Sequence, residues 1–379
     1  MSIKNLCNRL CGAFIVLLSI HAFAEQGVTA DKIIIGQSAG LSGAAAPQIK
    51  DLTAGAVAYF SVVNSQGGLY GRKIVLESLD DAIDPKRTVE NTNRLVSEKN
   101  AFALFLYRGT PNVEAVLPII EREKIPLIGP SSGAQTMYVP LKKYLFPVRP
   151  SYHIEAARIV EYMAALGMKR IAVFHEDASF GEDVLAGVQK AAKQRNLTLT
   201  AIAAYPRGTA NVDSAVAAVS KTNPQGVILA GAANACAAFI KKMKEAGQSP
   251  QFMALSNVGS AAFTKDLGEA GRGVGVTAIT PYPYAAITAI AKEYKRAIKD
   301  QPDMTPSYLS MEGYMAAKVL VEGLRRAGPS PTREKLVASL ETLQHFDLGG
   351  VDVTYGPSER IGSTFVDFTV VGREGKFLH

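Results

Sequence analysis

The chain is short of the patterns that most functional classes require. It has three cysteines in 379 residues, and two of them, Cys7 and Cys11, stand within the first eleven. Without that opening stretch Cys236 is alone, so no internal disulfide can form. Its Ala-rich helical setting, AANACAAF, points to core packing and not to reactivity. Basic runs are missing too. Lys+Arg number 41 against 34 Asp+Glu, or 39 against 34 without Lys4 and Arg9, and no basic run exceeds a pair. A nucleic-acid partner needs a clustered basic stripe and is therefore not expected. No segment beyond residue 24 is apolar enough to span a membrane.

Signatures of catalysis are equally scarce. The text after the first strand, GQSAGLSG, lacks G-x-G-x-x-G, and no P-loop Gly-Lys-Ser/Thr follows any strand. There is no G-x-S-x-G elbow. Beyond residue 24 the histidines are His153, His175, His345 and His379, without paired metal spacing or a nearby cysteine pair. They read as structural or exposed. No nucleophile–base pair stands out, so we expect no enzyme, no catalytic residue, no metal and no cofactor.

What is present begins with the first 24 residues. Lys4 and Arg9 are basic, Ala13 to Ile20 is a short apolar run, and Ala22-Phe23-Ala24 is a small-x-small site. That order reads as a secretory signal peptide cleaved after Ala24, too short for a permanent anchor. Cys11 precedes the apolar run, so a lipoprotein arrangement is not expected. A remainder of roughly 355 residues can bury a core without disulfides and is long enough for two lobes.

That remainder alternates short apolar strands with amphipathic helices. Strands are expected at Lys32 to Ser38, Lys73 to Leu79, Ala101 to Tyr107 and Pro126 to Gly129. Helices are expected from about Thr53 to Asn64, from Pro85, and along the stripe Val113, Val116, Leu117 and Ile120. A second series starts near Tyr152 and runs to Leu255. From Ala285 two longer helices, a short one and two extended segments, Val351 to Thr354 and Thr364 to Val371, complete the chain. Such alternation predicts an α/β protein with parallel sheets covered on both sides.

Polar, Gly-rich loops follow the strands, where ligands bind in open α/β sheets. In the first half these are Ser42-Gly43-Ala44, Arg108-Gly109-Thr110-Pro111 and Gly129-Pro130-Ser131-Ser132-Gly133. Backbone N–H groups near helix N-termini in the last two suit a carboxylate. The second half offers Glu176-Asp177-Ala178-Ser179-Phe180-Gly181, Gly231-Ala232-Ala233-Asn234 and Ser256-Asn257-Val258-Gly259. Asp177 has two readings, helix cap or ligand contact.

At KIIIGQSAGLSG, NSQGGLYGRKIVL, DDAIDPKRTVENTNRLV, IPLIGPSSGA, RIAVFHEDASFGEDVLAGV and GQSPQFMALSNVG the chain resembles the branched-chain amino-acid-type (leucine/isoleucine/valine-binding) periplasmic proteins of ABC importers. The likeness covers nearly all of the chain after residue 24. It implies the type I periplasmic-binding-protein fold, two Rossmann-like lobes with a three-crossover hinge and the ligand between them. Lobe one is expected at 25–147 and 280–347, lobe two at 148–279 and 348–379. A permease and its ATPase are the implied partners of a monomer.

By the same resemblance the ligand hydroxyl position falls on Thr110. The loop that holds an amino acid's carboxylate and ammonium falls on Ser131, Ser132 and Gly133. A lobe-two aromatic falls on Phe180 and a second aromatic position on Ala232 or Ala233. Gln48 and Tyr282 occupy or adjoin wall positions. Two departures matter: the family's ammonium-binding glutamate is Ser256 here, and a ligand threonine is Gly133. A buried ammonium without an anion is costly, so an acid lacking an ammonium is favoured unless Asp177 substitutes. Arg108 can pair bidentately with a carboxylate or serve as a solvated surface charge, and Arg149 starts a hinge crossing.

The expected function is capture of a small carboxylate or amino acid by hinge closure, for delivery to a permease. On this reading Thr110→Val or Ser131→Pro abolishes binding and leaves the fold intact. A sensory protein of the same fold that binds an amide or acid and signals to a regulator is the alternative, and an exported α/β enzyme a remote third.

Overall fold

The computed structural model describes residues 25–43, 45–299, 301 and 304–379. The expected signal peptide at 1–24 and Ala44 of the first loop lie outside the described residues. Lys32–Ala39 (β1), Lys73–Asp80 (β2), Ala103–Phe105 (β3), Leu127–Ile128 (β4) and Leu145–Phe146 (β5) form one parallel sheet in the order β2-β1-β3-β4-β5. Ile171–Asp177 (β6), Leu199–Pro206 (β7), Gly226–Ala230 (β8), Gln251–Ala254 (β9) and Gly275–Ala278 (β10) repeat that order in a second sheet, as β7-β6-β8-β9-β10. A small antiparallel sheet follows from Phe346–Asp347 (β11), Asp352–Gly356 (β12) and Glu359–Gly362 (β13). Asp367–Val371 (β14) and Phe377–Leu378 (β15) then extend the second sheet, β14 antiparallel to β10.

Two parallel sheets of the same winding mean two α/β lobes, each with its strand order reversing beside its first strand. In the first sheet that switch lies between β1 and β3, in the second between β6 and β8. Loops that leave such neighbours in opposite directions open a crevice at their carboxyl ends.

The helices are Ala46–Ser65 (α1), Pro85–Ser97 (α2), Thr110–Arg122 (α3), Tyr152–Ala165 (α4), Ser179–Gln194 (α5), Asp213–Ser220 (α6), Ala233–Glu245 (α7), Ala261–Leu267 (α8), Ala289–Ile298 (α9), Tyr308–Ala327 (α10) and Arg333–Leu340 (α11). α1 begins seven residues before the expected Thr53, because Pro47 sits in its first turn as Pro85 does in α2. α1 crosses α10 with backbones almost touching. A Cβ on Gly55 would lie 1.7 Å from the Ser310 carbonyl oxygen, and one on Gly313 would lie 1.9 Å from that of Leu52. Only glycine fits either place.

Among the described residues the chain passes between the lobes three times: between β5 and β6, between β10 and α9, and between β13 and β14. The third passage corrects the expected boundary at 347/348. Val351, Val353 and Tyr355 share a buried core with Phe146, Tyr314 and Leu320 of lobe one, and the Tyr355 hydroxyl donates to Pro147 O at 2.8 Å. The extended segment expected in lobe two pairs with β11 and β13 and packs on lobe one, so lobe one keeps the chain through Gly362.

Candidate functional site

A cavity of about 640 Å³ lies between the carboxyl ends of the two sheets, within the size range of small-molecule sites. Lobe one supplies Gln48 from the first turn of α1, Ala82 and Ile83 after β2, Arg108 to Pro111 after β3, and Ser131 after β4. Lobe two supplies Glu176 and Phe180 from the end of β6 and the start of α5, Arg207 after β7, Ala232 to Asn234 after β8, and Asn257 after β9. Tyr152, at the start of α4, packs edge-on against Phe180 with ring centroids 5.1 Å apart.

The loop after β3 is held in place by hydrogen bonds that run sideways to the loop after β4. Ser131 N donates to Tyr107 O at 2.7 Å, and Arg108 bridges Ser131 in parallel pairing. The Thr110 and Ser132 hydroxyls share a hydrogen bond of 2.8 Å, both buried. Gly109, at φ 93°, turns the chain into α3, whose first residues face the cavity. An anion placed there meets the positive end of the helix dipole.

The charged lining is uneven. Arg108 Nη2 donates to Asn257 O across the cleft at 2.9 Å, but no carboxylate among the described residues comes within ion-pairing distance of it. Burial presses its pKa below the usual arginine value, yet a guanidinium stays charged at any physiological pH. It is a half-buried cation on which Glu312 and Asp51 act only from beyond ion-pairing distance. Glu176 differs: its Oε2 accepts from the Tyr205 hydroxyl at 3.0 Å, and its Oε1 lies 3.7 Å from Arg207 Nε. Burial pushes its carboxyl up, opposed by the Tyr205 hydrogen bond and the Arg207 charge. Asp266 is exposed where it meets the cavity. No group of three or more His, Cys, Asp and Glu side chains among the described residues is placed to hold a metal.

With the two lobes, the cleft and its lining in view, the sequence matches a periplasmic binding protein family model over residues 32–372. The chain belongs to the periplasmic binding protein family. It is 25% identical over 348 residues to the leucine-specific-binding protein of Salmonella typhimurium, across 90% of each chain. It is 33% identical to the solved substrate-binding periplasmic protein from Ralstonia solanacearum, with a TM-score of 0.86 over 91% of this chain and 99% of that one. A possible leucine/isoleucine/valine-binding protein from Rhodopirellula baltica SH 1 is 28% identical, with a TM-score of 0.87 over 92% and 97%. The fold is type I, and the protein is a solute-binding protein whose curated relatives are named as leucine- or Leu/Ile/Val-binding.

In this binding protein the structure gathers Gln48, Arg108, Thr110, Ser131, Phe180 and Ala232 around one cavity. Other expected positions lie elsewhere. Ser132 is fully buried behind Thr110. Gly133 is pressed against the α4 start, where a Cβ would meet Pro150 O at 2.9 Å. Tyr282 is outside the lining, its hydroxyl donating to Phe377 O at 3.1 Å. Asp177 is exposed, does not line the cavity and does not cap α5, whose N-cap residue is Ala178 without a side-chain cap. Neither of its two readings describes where it sits.

Ser256 belongs to the hinge. Its Oγ accepts from Arg149 Nη2 at 2.6 Å, and its N–H donates to Glu155 Oε2 at 3.0 Å. Arg149 is buried between Glu155 and Glu312, one from each lobe. Burial works against its charge, but Glu312 and Glu155 outweigh it and leave the pKa raised. Arg149 is thus a hinge residue.

The sequence places Glu176 and Asn257 in candidate loops without singling them out, and gives Arg207 and Tyr152 no site role. Glu176 was signalled by its neighbour: the loop was recognised, but the wrong acid of the Glu176-Asp177 pair was chosen. Arg207, in Pro206-Arg207-Gly208, had no comparable signal.

Proposed function

We propose that this protein captures a small organic carboxylate lacking an ammonium group and presents it, in the closed form, to an ABC permease and its ATPase. Arg108 carries the reading: a desolvated guanidinium in a ligand-sized cavity, with Glu312 and Asp51 nearby but no carboxylate in direct contact, gains a bidentate partner when a ligand supplies one. Ser131 and the α3 N-terminus add donors beside it. Phe180, Tyr152 and Phe263 provide an apolar wall for the ligand body. The buried acid of the lining, Glu176, is already engaged by Tyr205 and Arg207, so an ammonium beside it would add a second cation. Closure excludes water and strengthens each polar contact. The solute is released unchanged, and the protein works as a monomer outside the cytoplasm after removal of residues 1–24.

The test is a thermal-shift panel on the chain lacking residues 1–24, pairing aliphatic and aromatic carboxylates with their primary amides and with leucine and valine. A ligand that binds only the folded state raises the melting temperature. Carboxylates are expected to stabilise and amides are not, and Arg108→Gln should abolish the effect. Equal stabilisation by an acid and its amide, or an Arg108→Gln protein that responds normally, overturns the proposal. Stabilisation by leucine or valine at least equal to that by the acids overturns the exclusion of an ammonium.

A further inference from the structure

Arg207 stands at the end of β7, on the outer side of lobe two, yet two of its hydrogen bonds go to lobe one. Its Nη2 donates to Ile83 O at 2.9 Å and reaches Asn112 Oδ1 at 3.3 Å. Its Nε faces Glu176 of its own lobe at 3.7 Å, so the guanidinium spans the cleft with an anionic anchor behind it.

The two acceptors on lobe one are built in advance. Ala82 and Ile83 both have positive φ, 50° and 60°, a conformation costly for a β-branched residue. Aspartates hold the turn there: Ala82 N donates to Asp80 Oδ1 at 3.0 Å and Ile83 N to Asp81 Oδ1 at 2.9 Å. Asp81 is buried and accepts from the Ser38 and Thr88 hydroxyls through Oδ2. Thr88 Oγ1 in turn accepts from Asn112 Nδ2 at 2.7 Å. Asn112 is fully buried, and with its amide nitrogen committed to Thr88, its oxygen is left for Arg207. The Asp-Asp-Ala-Ile-Asp-Pro run therefore presents a carbonyl, and the same network orients an amide oxygen beside it.

We propose that Arg207 is the latch that holds the two lobes together, docking into this preformed acceptor pair and stabilising the closed cleft with or without ligand. It acts as a positioning residue, setting the balance between open and closed forms. The proposal requires that the cleft opens and shuts, and does not require that the solute be a carboxylate.

The test is small-angle X-ray scattering of the ligand-free chain lacking residues 1–24, comparing wild type, Arg207→Ala and Arg207→Lys. Charge-assisted hydrogen bonds lost from the closed form only should raise the open-to-closed ratio roughly tenfold in Arg207→Ala, read as a larger radius of gyration. Arg207→Lys, which keeps the charge and one donor direction, should fall between. Circular dichroism spectra should be unchanged, since the Arg207 side chain is about one-third exposed. A radius in Arg207→Ala equal to or smaller than wild type overturns the latch. A larger radius together with failure of every carboxylate in the panel leaves the latch standing and removes the ligand proposal; the reverse pair of results does the opposite.

Discussion

Arg149 and Glu155 form a buried ion pair, Nη2 to Oε1 at 2.8 Å, where the chain first passes from one lobe to the other. Glu155 also accepts from Ser256 N and from the Thr277 hydroxyl, so both of its oxygens are in use. The pair ties the first crossing to the strand ends of lobe two, while Glu312 on α10 ties it to lobe one.

Removal of one partner should be severe. Glu155→Ala leaves a buried guanidinium with Glu312, at 3.4 Å, as its remaining carboxylate beside the Ser256 hydroxyl, and should cost about 3–5 kcal/mol in urea unfolding. Arg149→Met combined with Glu155→Leu should lose less than Glu155→Ala alone. A loss under about 1 kcal/mol in Glu155→Ala would mean the pair does not anchor the crossing.

Asp51 should make the protein less stable as pH rises. Burial raises its pKa from 3.8 to about 6, although Ser307 donates to it and Arg108 lies near. An acid with a raised folded pKa is favoured in its protonated form. Its contribution is therefore intact below pH 4 and lost as pH climbs through 6, by up to about 3 kcal/mol. Asp51→Asn retains an acceptor for Ser307 and should raise the melting temperature at pH 8 but not at pH 4. Equal shifts at both pH values would refute this.

Cys236 should be silent to thiol reagents in the folded protein. It is completely buried, and burial pushes its thiol up to about 12, so almost no thiolate exists at pH 8. Labelling with a chromogenic disulfide should begin only as denaturant unfolds the chain. Rapid labelling of native protein would show that α7 opens locally.

The two loop substitutions part company once the hydrogen bonds are known. Thr110→Val leaves the buried Ser132 hydroxyl with only the 3.4 Å contact from Ala134 N and should cost about 1–3 kcal/mol in stability as well as weaken binding. Ser131→Pro removes the N–H that donates to Tyr107 O, so it should disturb the first sheet instead of leaving the fold intact. Circular dichroism melts of both variants decide the matter: a wild-type melt for Ser131→Pro contradicts the structure.

The alternating pattern was legible because it rests on local preferences. Val113, Val116 and Ile120 are buried on one face of α3, with Leu117 half-buried beside them, as a 3.6-residue period dictates. Pro85 opens α2 behind Asp84, which caps it. The same proline signal at Pro47 was available and would have placed Gln48 on a helix. β3 is shorter than Ala101 to Tyr107: Phe102 N still donates to Ile34 O and Leu106 N to Ile128 O, but Leu106 takes a φ of 56° and ends the regular ladder. β10, just four residues, drew no expectation, as its apolar run is too short to stand apart from a loop.

The sequence by itself carried the family, through the resemblance of its motifs to known members, and determined the two α/β series and the loops from which the cleft is made, since these last follow from local periodicity and turn chemistry. Only the tertiary structure decided which side chains of those loops face the cleft. Along a strand adjacent side chains point to opposite sides, so the last two residues of β6 part, Glu176 into the cavity and Asp177 into solvent. Ser256 meets Arg149 across 107 residues, and Arg207 meets Asn112 across 95. No local spacing encodes such pairs, because they depend on where three chain crossings set one lobe against the other.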